Sequence, residues 1–343
     1  MADMTPKENF MAVINGQMPQ SVPYFNMGIP FPGGNEASRG VSPNLFKDSS
    51  RATKDGRGQD AWGVPYIANK ETGWASIPEP NNFILDDITK WRDVIKAPEV
   101  PDVDWEAMAK ADFEKAGFDR SQKAVFSGAG FMPFQQLIAF MGFNEGLCAL
   151  YEEPEEVKEL LNWMADFYVP IIEKTLDYYK PDFFNIADDT ASKYNPFFSL
   201  EMYQDIFRPI YDKLAKPAND RGIPIAFHNC GRCEDFIPDM IEFGVRLWEP
   251  AQIDNDLDAI KKKYQGKLAM AGCWETVMFP NWPDVPRDEI IESVHKTIDR
   301  FAPNGGYMFK AGVLKAEGDT LGQELQLFIR NEALKYMDHY YDR

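Results

Sequence analysis

Residues 223–250 read IPIAFHNCGRCEDFIPDMIEFGVRLWEP, and this stretch decides the fold. It opens on an apolar run, Ile223 to Phe227, without polar alternation. Such a run reads as a parallel strand covered on both faces. It ends in His228-Asn229-Cys230-Gly231. Residues i and i+2 of a strand share a side, so His228 and Cys230 converge at the strand's C-terminal end. A helix is expected from about Glu234 to Phe243. A strand from Val245 to Trp248 then ends in Glu249, and another from Lys267 to Ala271 ends in Gly272-Cys273. Successive βα units thus deliver imidazole, carboxylate and thiol to one edge. One imidazole and two thiolates form a zinc set, and three protein ligands leave an open catalytic position. The bland alternative is that the cysteines are small core residues and the histidine a satisfied polar group. Cys230-x-x-Cys233 also has redox spacing, although Cys233 falls beyond the strand, in the turn entering the helix.

The same alternation extends outward. Upstream, AVFSG at 124–128 reads as a strand, followed by helical segments from Pro133 to Leu150 and a long amphipathic helix from Glu155 to Tyr179. Asp182 to Ala187 is a strand ending in Asp188-Asp189, and Ser199 to Arg221 is helical. Downstream, helices are expected near Asp256–Lys263, Arg287–Phe301 and Thr320–Tyr341, with a last strand GYMFK at 306–310. The N-terminal third is less regular. TPKENFMAVIN at 5–15 reads as a short helix with Thr5 as N-cap and Pro6 at its first position. VPYFNM at 22–27 is a candidate first strand. Ile29 to Gly58, rich in Gly, Pro, Ser and charge, has the length of a functional lid; such an arm could also reach a second copy in a homodimer. WGVPYIANKETGWASI at 62–77 reads as a hairpin. About eight strands alternating with helices predict an α/β fold, a (β/α)8 TIM barrel, with catalytic groups on the C-terminal edge. The expected organisation is one domain over 1–343. Residues 1–120 carry the N-terminal helix, first strand, lid-like loop and hairpin, and 121–343 the regular units.

Composition narrows the function. Lys plus Arg is 36 against 54 for Asp plus Glu, a net charge of −18. That balance disfavours nucleic acid and anionic membranes. No signal peptide and no apolar run of membrane-spanning length is visible, and four cysteines in 343 residues make no disulfide framework. A reducing cytoplasm is the expected compartment. No G-x-G-x-x-G or P-loop is present; Gly128-Ala129-Gly130 is too short for a nucleotide loop.

DAWGVPYI at 60–67, PDFFNIADD at 181–189, HNCG at 228–231, AGCWE at 271–275 and GGYMFKAG at 305–312 resemble the uroporphyrinogen decarboxylase superfamily, over most of the chain. The resemblance implies a (β/α)8 barrel. One branch, the haem-pathway decarboxylases, carries an arginine-rich N-terminal loop for substrate carboxylates. The corresponding place here, Tyr24 to Pro30, has no arginine, and a polycarboxylate would be poorly served by it. The other branch comprises corrinoid-dependent methyltransferases with zinc on an H-x-C motif and a later cysteine. His228 and Cys230 match H-x-C. The later cysteine of thiol-methylating members lies within a segment similar to GGYMFKAG, where this chain has none, so Cys273 becomes the third expected ligand. That departure makes the chain more similar to ether-cleaving members, which take methyl from aryl methyl ethers. The run also resembles cobalamin-independent methionine synthase, whose next strand adds a glutamate to the zinc site, as Glu249 is placed to do.

The expected ligands are therefore His228, Cys230 and Cys273. Glu249 is a fourth ligand displaced by substrate, an outer base, or a salt-bridged acid. Asp188 and Asp189 orient substrate or donate a proton, or else cap a helix. Asn26, Tyr194, Trp248, Trp274 and Lys310 are expected around the substrate, with Phe25, Phe31 and Trp62 as further aromatic wall. The chain lacks the D-x-H-x-x-G of corrinoid carriers, so a separate corrinoid-binding protein should bring the cofactor. Competing readings are methyl transfer from a methylcorrinoid to a thiol, decarboxylation, and non-catalytic ligand binding.

Overall fold

The computed structural model describes residues 3–27, 36–46, 56–72, 75–313 and 318–343. Most of the lid-like segment, with Phe31, lies outside the described residues. Ten strands are described: β1 (Ser38–Gly40), β2 (Arg57–Gln59), β3 (Pro65–Ile67), β4 (Ile77–Pro78), β5 (Ala124–Gly128), β6 (Phe183–Ala187), β7 (Ile225–His228), β8 (Val245–Ala251), β9 (Ala269–Cys273) and β10 (Tyr307–Lys310). β1 and β5 to β10 form one parallel sheet in the order β1-β5-β6-β7-β8-β9-β10. The segment around Tyr24 joins its two edges. Tyr24 pairs in parallel with Phe309, the Phe25 N–H donates to the Phe309 carbonyl at 2.8 Å, and the Ser38 hydroxyl donates to Asn26 Oδ1 at 2.9 Å. The fold is thus an α/β barrel of the (β/α)8 type, with Tyr24 in the eighth stave.

Side-chain alternation explains the apolar runs. Ala226 on β7, Phe183 on β6, Leu247 on β8, Ala269 and Ala271 on β9 and Met308 on β10 form the inner core. Their neighbours Phe227, Phe184, Trp248, Met270 and Phe309 face the helices. Alanine dominates the inner layer because a closed barrel leaves little room at its axis. Helix α1 (Pro6–Ile14) starts on a capping box at Thr5 and adds Phe10, Val13 and Ile14 to the same inner core.

The outer layer comprises α2 (Trp91–Val94), α3 (Trp105–Ala116), α4 (Pro133–Met141), α5 (Phe143–Glu152), α6 (Pro154–Tyr179), α7 (Leu200–Met202), α8 (Arg208–Asp220), α9 (Ile237–Glu242), α10 (Leu257–Lys263), α11 (Arg287–Phe301) and α12 (Thr320–Met337). Two local expectations hold and gain detail. The hairpin at 62–77 belongs to a three-stranded antiparallel sheet, β2-β3-β4. The expected helix over Ser199–Arg221 runs from Leu200 to Asp220 and contains a π-helical turn at Tyr203–Phe207.

Candidate functional site

The inward positions Ala226, Leu247 and Met308 are each followed two residues later by His228, Glu249 and Lys310. Alternation therefore lifts these three polar side chains to the C-terminal mouth of the barrel. Glu249 is almost fully buried and bridges the other two. The His228 Nδ1–H donates to Glu249 Oε1 at 2.7 Å, and Lys310 Nζ donates to Glu249 Oε2 at 2.5 Å. This clamp turns His228 Nε2 toward Cys230 Sγ, 3.5 Å away, and Asp189 Oδ1, 3.6 Å away. Asp189, His228 and Cys230 offer ligand atoms that lie within 4.8 Å of one another.

The turn carrying Cys230 is held on several sides. The Cys230 N–H donates to Asp189 Oδ1 at 3.1 Å. The fully buried Asn229 exchanges hydrogen bonds with Thr190, and its carbonyl accepts from Trp248 Nε1 at 3.1 Å. Gly231 adopts φ +86, and a Cβ there would lie 2.4 Å from the Ala191 carbonyl oxygen. Only glycine fits that approach.

Charge at the site follows from these contacts. Burial pulls His228 down, but its hydrogen bonds to Cys230 and Glu249 outweigh this and raise its pKa to about 10. Burial pushes the Cys230 thiol up, partly offset by His228. Burial would also raise Glu249, yet Lys310 and His228 hold its carboxyl below the ordinary value. A metal would displace the protons that His228 and Cys230 otherwise hold.

The donor set fits zinc. A tetrahedral zinc places its sulfur and nitrogen donors about 3.5 Å apart, the separation found between Cys230 and His228. A ligating histidine whose other ring N–H is held by a carboxylate is the usual outer support of such a site. Glu249 occupies that supporting place. The one-imidazole, one-thiolate, one-carboxylate set leaves room for a further ligand.

Cys273 does not join the cluster. Strand alternation from Ala269 and Ala271 would point it inward, but Gly272 and Cys273 have φ +134 and +65. This left-handed turn sends the thiol outward, where it lines a separate cavity of about 730 Å³ with Asp258, Phe279, Ser293 and Arg300. Asp188 is fully buried and accepts from the Phe134 and Gln135 N–H groups at 2.7 and 3.0 Å and from the Tyr211 hydroxyl at 2.7 Å. It caps α4. Burial lifts its pKa to about 7 against the pull of those bonds.

The other expected substrate contacts divide. Asn26 is buried and tied to Ser38. Trp248 and Trp274 are buried outward, Trp274 donating to Ser293 Oγ at 3.0 Å. Tyr194 stands at 68 % exposure on the strand-end loops. Phe25 belongs to the inner core. Cys233 is buried and pairs with no other cysteine; all four thiols are free.

A cavity of about 450 Å³ lies one strand away from the cluster. It includes Asn185 and Ala187 of β6, and Ala187 is the register partner of His228. Asn185 escaped the sequence reading because a single asparagine in an aromatic strand carries no spacing signal. Trp62, expected as aromatic wall, lines this cavity, with its Nε1–H donated to the Tyr168 hydroxyl at 2.8 Å.

Among the described residues no helix is long and apolar enough to cross a membrane. No curated protein sequence matches the chain. A solved methyltransferase from Methanosarcina mazei is similar over 99 % of this chain and 100 % of that one, with TM-score 0.60 and 13 % identity, a likeness of fold. A Xaa-Pro dipeptidase structure with bound methionine, at TM-score 0.27 and 14 % identity over 69 % of this chain and 59 % of that one, is too distant to carry any argument. The uroporphyrinogen decarboxylase (URO-D) family model matches residues 69–313, which is most of the barrel, and the chain belongs to that family.

Proposed function

We propose that this chain is a zinc-dependent methyltransferase that moves a methyl group from an aryl methyl ether to the cobalt of a corrinoid carried on a separate protein. The observation that supports it most is the convergence of Asp189, His228 and Cys230 at the barrel mouth, with Glu249 clamping the far side of the imidazole. The fold likeness to a methyltransferase agrees with it.

Each residue then has a task. Glu249 holds the proton on His228 Nδ1 and leaves Nε2 free as a donor. Lys310 neutralises Glu249, so the carboxylate serves the histidine rather than a substrate cation. Asp189 orients Cys230 through its backbone N–H and offers its own oxygen to the same point. A zinc ion held by Asp189, His228 and Cys230 would supply the Lewis acidity that a phenyl ether needs as its oxygen leaves with negative charge. A corrinoid delivered by a partner protein would supply the acceptor for the methyl group. The chain's other histidines are engaged elsewhere, His295 with Glu332 and His339 with Asp342, which agrees with cofactor delivery by a partner. Docking would use the strand-end face. Decarboxylation of a polycarboxylate is less well served, because Lys310 is already paired with Glu249.

Zinc analysis tests the reading. The wild type should hold one zinc per chain. His228→Ala and Cys230→Ser should lose it, and Cys273→Ser should keep it. The wild type should also demethylate a methoxylated aromatic in the presence of a reduced corrinoid protein. A folded wild type without zinc, or zinc lost in Cys273→Ser but retained in Cys230→Ser, would overturn it.

A further inference from the structure

The cavity beside the cluster has a chemistry of its own. Trp62, Phe131 and Tyr168 line it, and the Phe131 and Tyr168 rings stack with centroids 5.1 Å apart at 6°. Flat aromatic walls favour a flat ring between or against them. Among the described residues, no lysine, arginine or histidine lines the cavity. Its one acid, Asp60, is fully used: Oδ1 accepts from the Trp62 and Val64 N–H groups at 2.9 and 3.0 Å, and Oδ2 accepts from Gln136 Nε2 at 3.1 Å. The Asn185 side-chain amide makes no hydrogen bond among the described residues, and it is half-buried on the cavity wall. It offers both a donor and an acceptor. Ala187, two residues on, is the register partner of His228, so this wall of the cavity stands one strand away from the candidate metal ligands.

We infer that this cavity receives the ring of an uncharged methoxylated phenol and rejects methoxylated benzoates, with the Asn185 amide reading the phenolic hydroxyl. Among the described residues a ring carboxylate would meet no cation there and would lie beside the Asp60 carboxylate, and an unpaired buried charge is strongly disfavoured. A hydroxyl finds a partner in Asn185. This inference rests on the methyltransferase reading for its orientation, methoxy group toward His228, but its binding step requires neither metal nor corrinoid.

The test is calorimetric titration of the metal-free chain, treated with chelator, with three probes. 2-Methoxyphenol should bind at least about tenfold more tightly than 4-hydroxy-3-methoxybenzoate. Asn185→Leu should weaken 2-methoxyphenol by about tenfold while leaving methoxybenzene, which lacks the hydroxyl, unchanged. Ile171→Trp, which fills the cavity from α6, should abolish binding of both, with circular dichroism verifying the fold. Equal or tighter binding of the benzoate, or 2-methoxyphenol binding indifferent to Ile171→Trp, overturns the assignment. Selective phenol binding without methyl transfer to a reduced corrinoid protein would sustain the cavity and sink the methyltransferase reading. Methyl transfer from a donor that this cavity does not bind would do the reverse.

Discussion

Asp188 and Asp189 are adjacent and do opposite work. Successive residues at a strand end point to opposite sides, so Asp189 joins His228 and Cys230 while Asp188 turns back to cap α4. Replacing Asp188 with Ala leaves two backbone N–H groups and the Tyr211 hydroxyl buried without acceptors. The expected loss is about 3 kcal/mol or more in urea denaturation, with zinc retained. Unchanged stability would remove the capping role. His228 and Cys230 were legible because H-x-C at the end of an apolar strand fixes a shared side. Which of two neighbouring aspartates faces the mouth was not, since that depends on where β6 stops to within one residue. Cys273 is a related case: strand alternation predicts an inward thiol, and the left-handed turn at Gly272-Cys273 ends that alternation one residue early.

At the level of elements, β7 and its turn carry the site. The long apolar runs announced β5 to β10, because strands buried on both faces must be apolar throughout. β1, Ser-Arg-Gly, gave no such signal. It pairs with β5 along one side only and is completed by Asn26 rather than by apolar packing. The β7 turn depends on Gly231. Gly231→Ala forces a Cβ against the Ala191 carbonyl in a backbone conformation that L-residues disfavour. A destabilisation of about 2 kcal/mol or more is expected, together with zinc loss, because Cys230 must move with the turn. A variant with full zinc content and wild-type melting would show that the turn has slack.

For the whole molecule, the inner and outer cores close around the strands independently of the donor cluster. Removing the metal with chelator should therefore leave far-ultraviolet circular dichroism intact and lower the melting temperature only by the linkage of binding to folding. Collapse on chelation would assign the site a structural role instead. The clamp of Lys310 on Glu249 has one more consequence. These two charges cancel, so a divalent cation that displaced the protons of His228 and Cys230 would be balanced by the Asp189 carboxylate and the Cys230 thiolate so formed. The loaded mouth would then be an electroneutral spot on a chain of net charge −18. An uncharged donor would enter it without long-range steering, and only the docking of a second protein would sense the acidity of the rest.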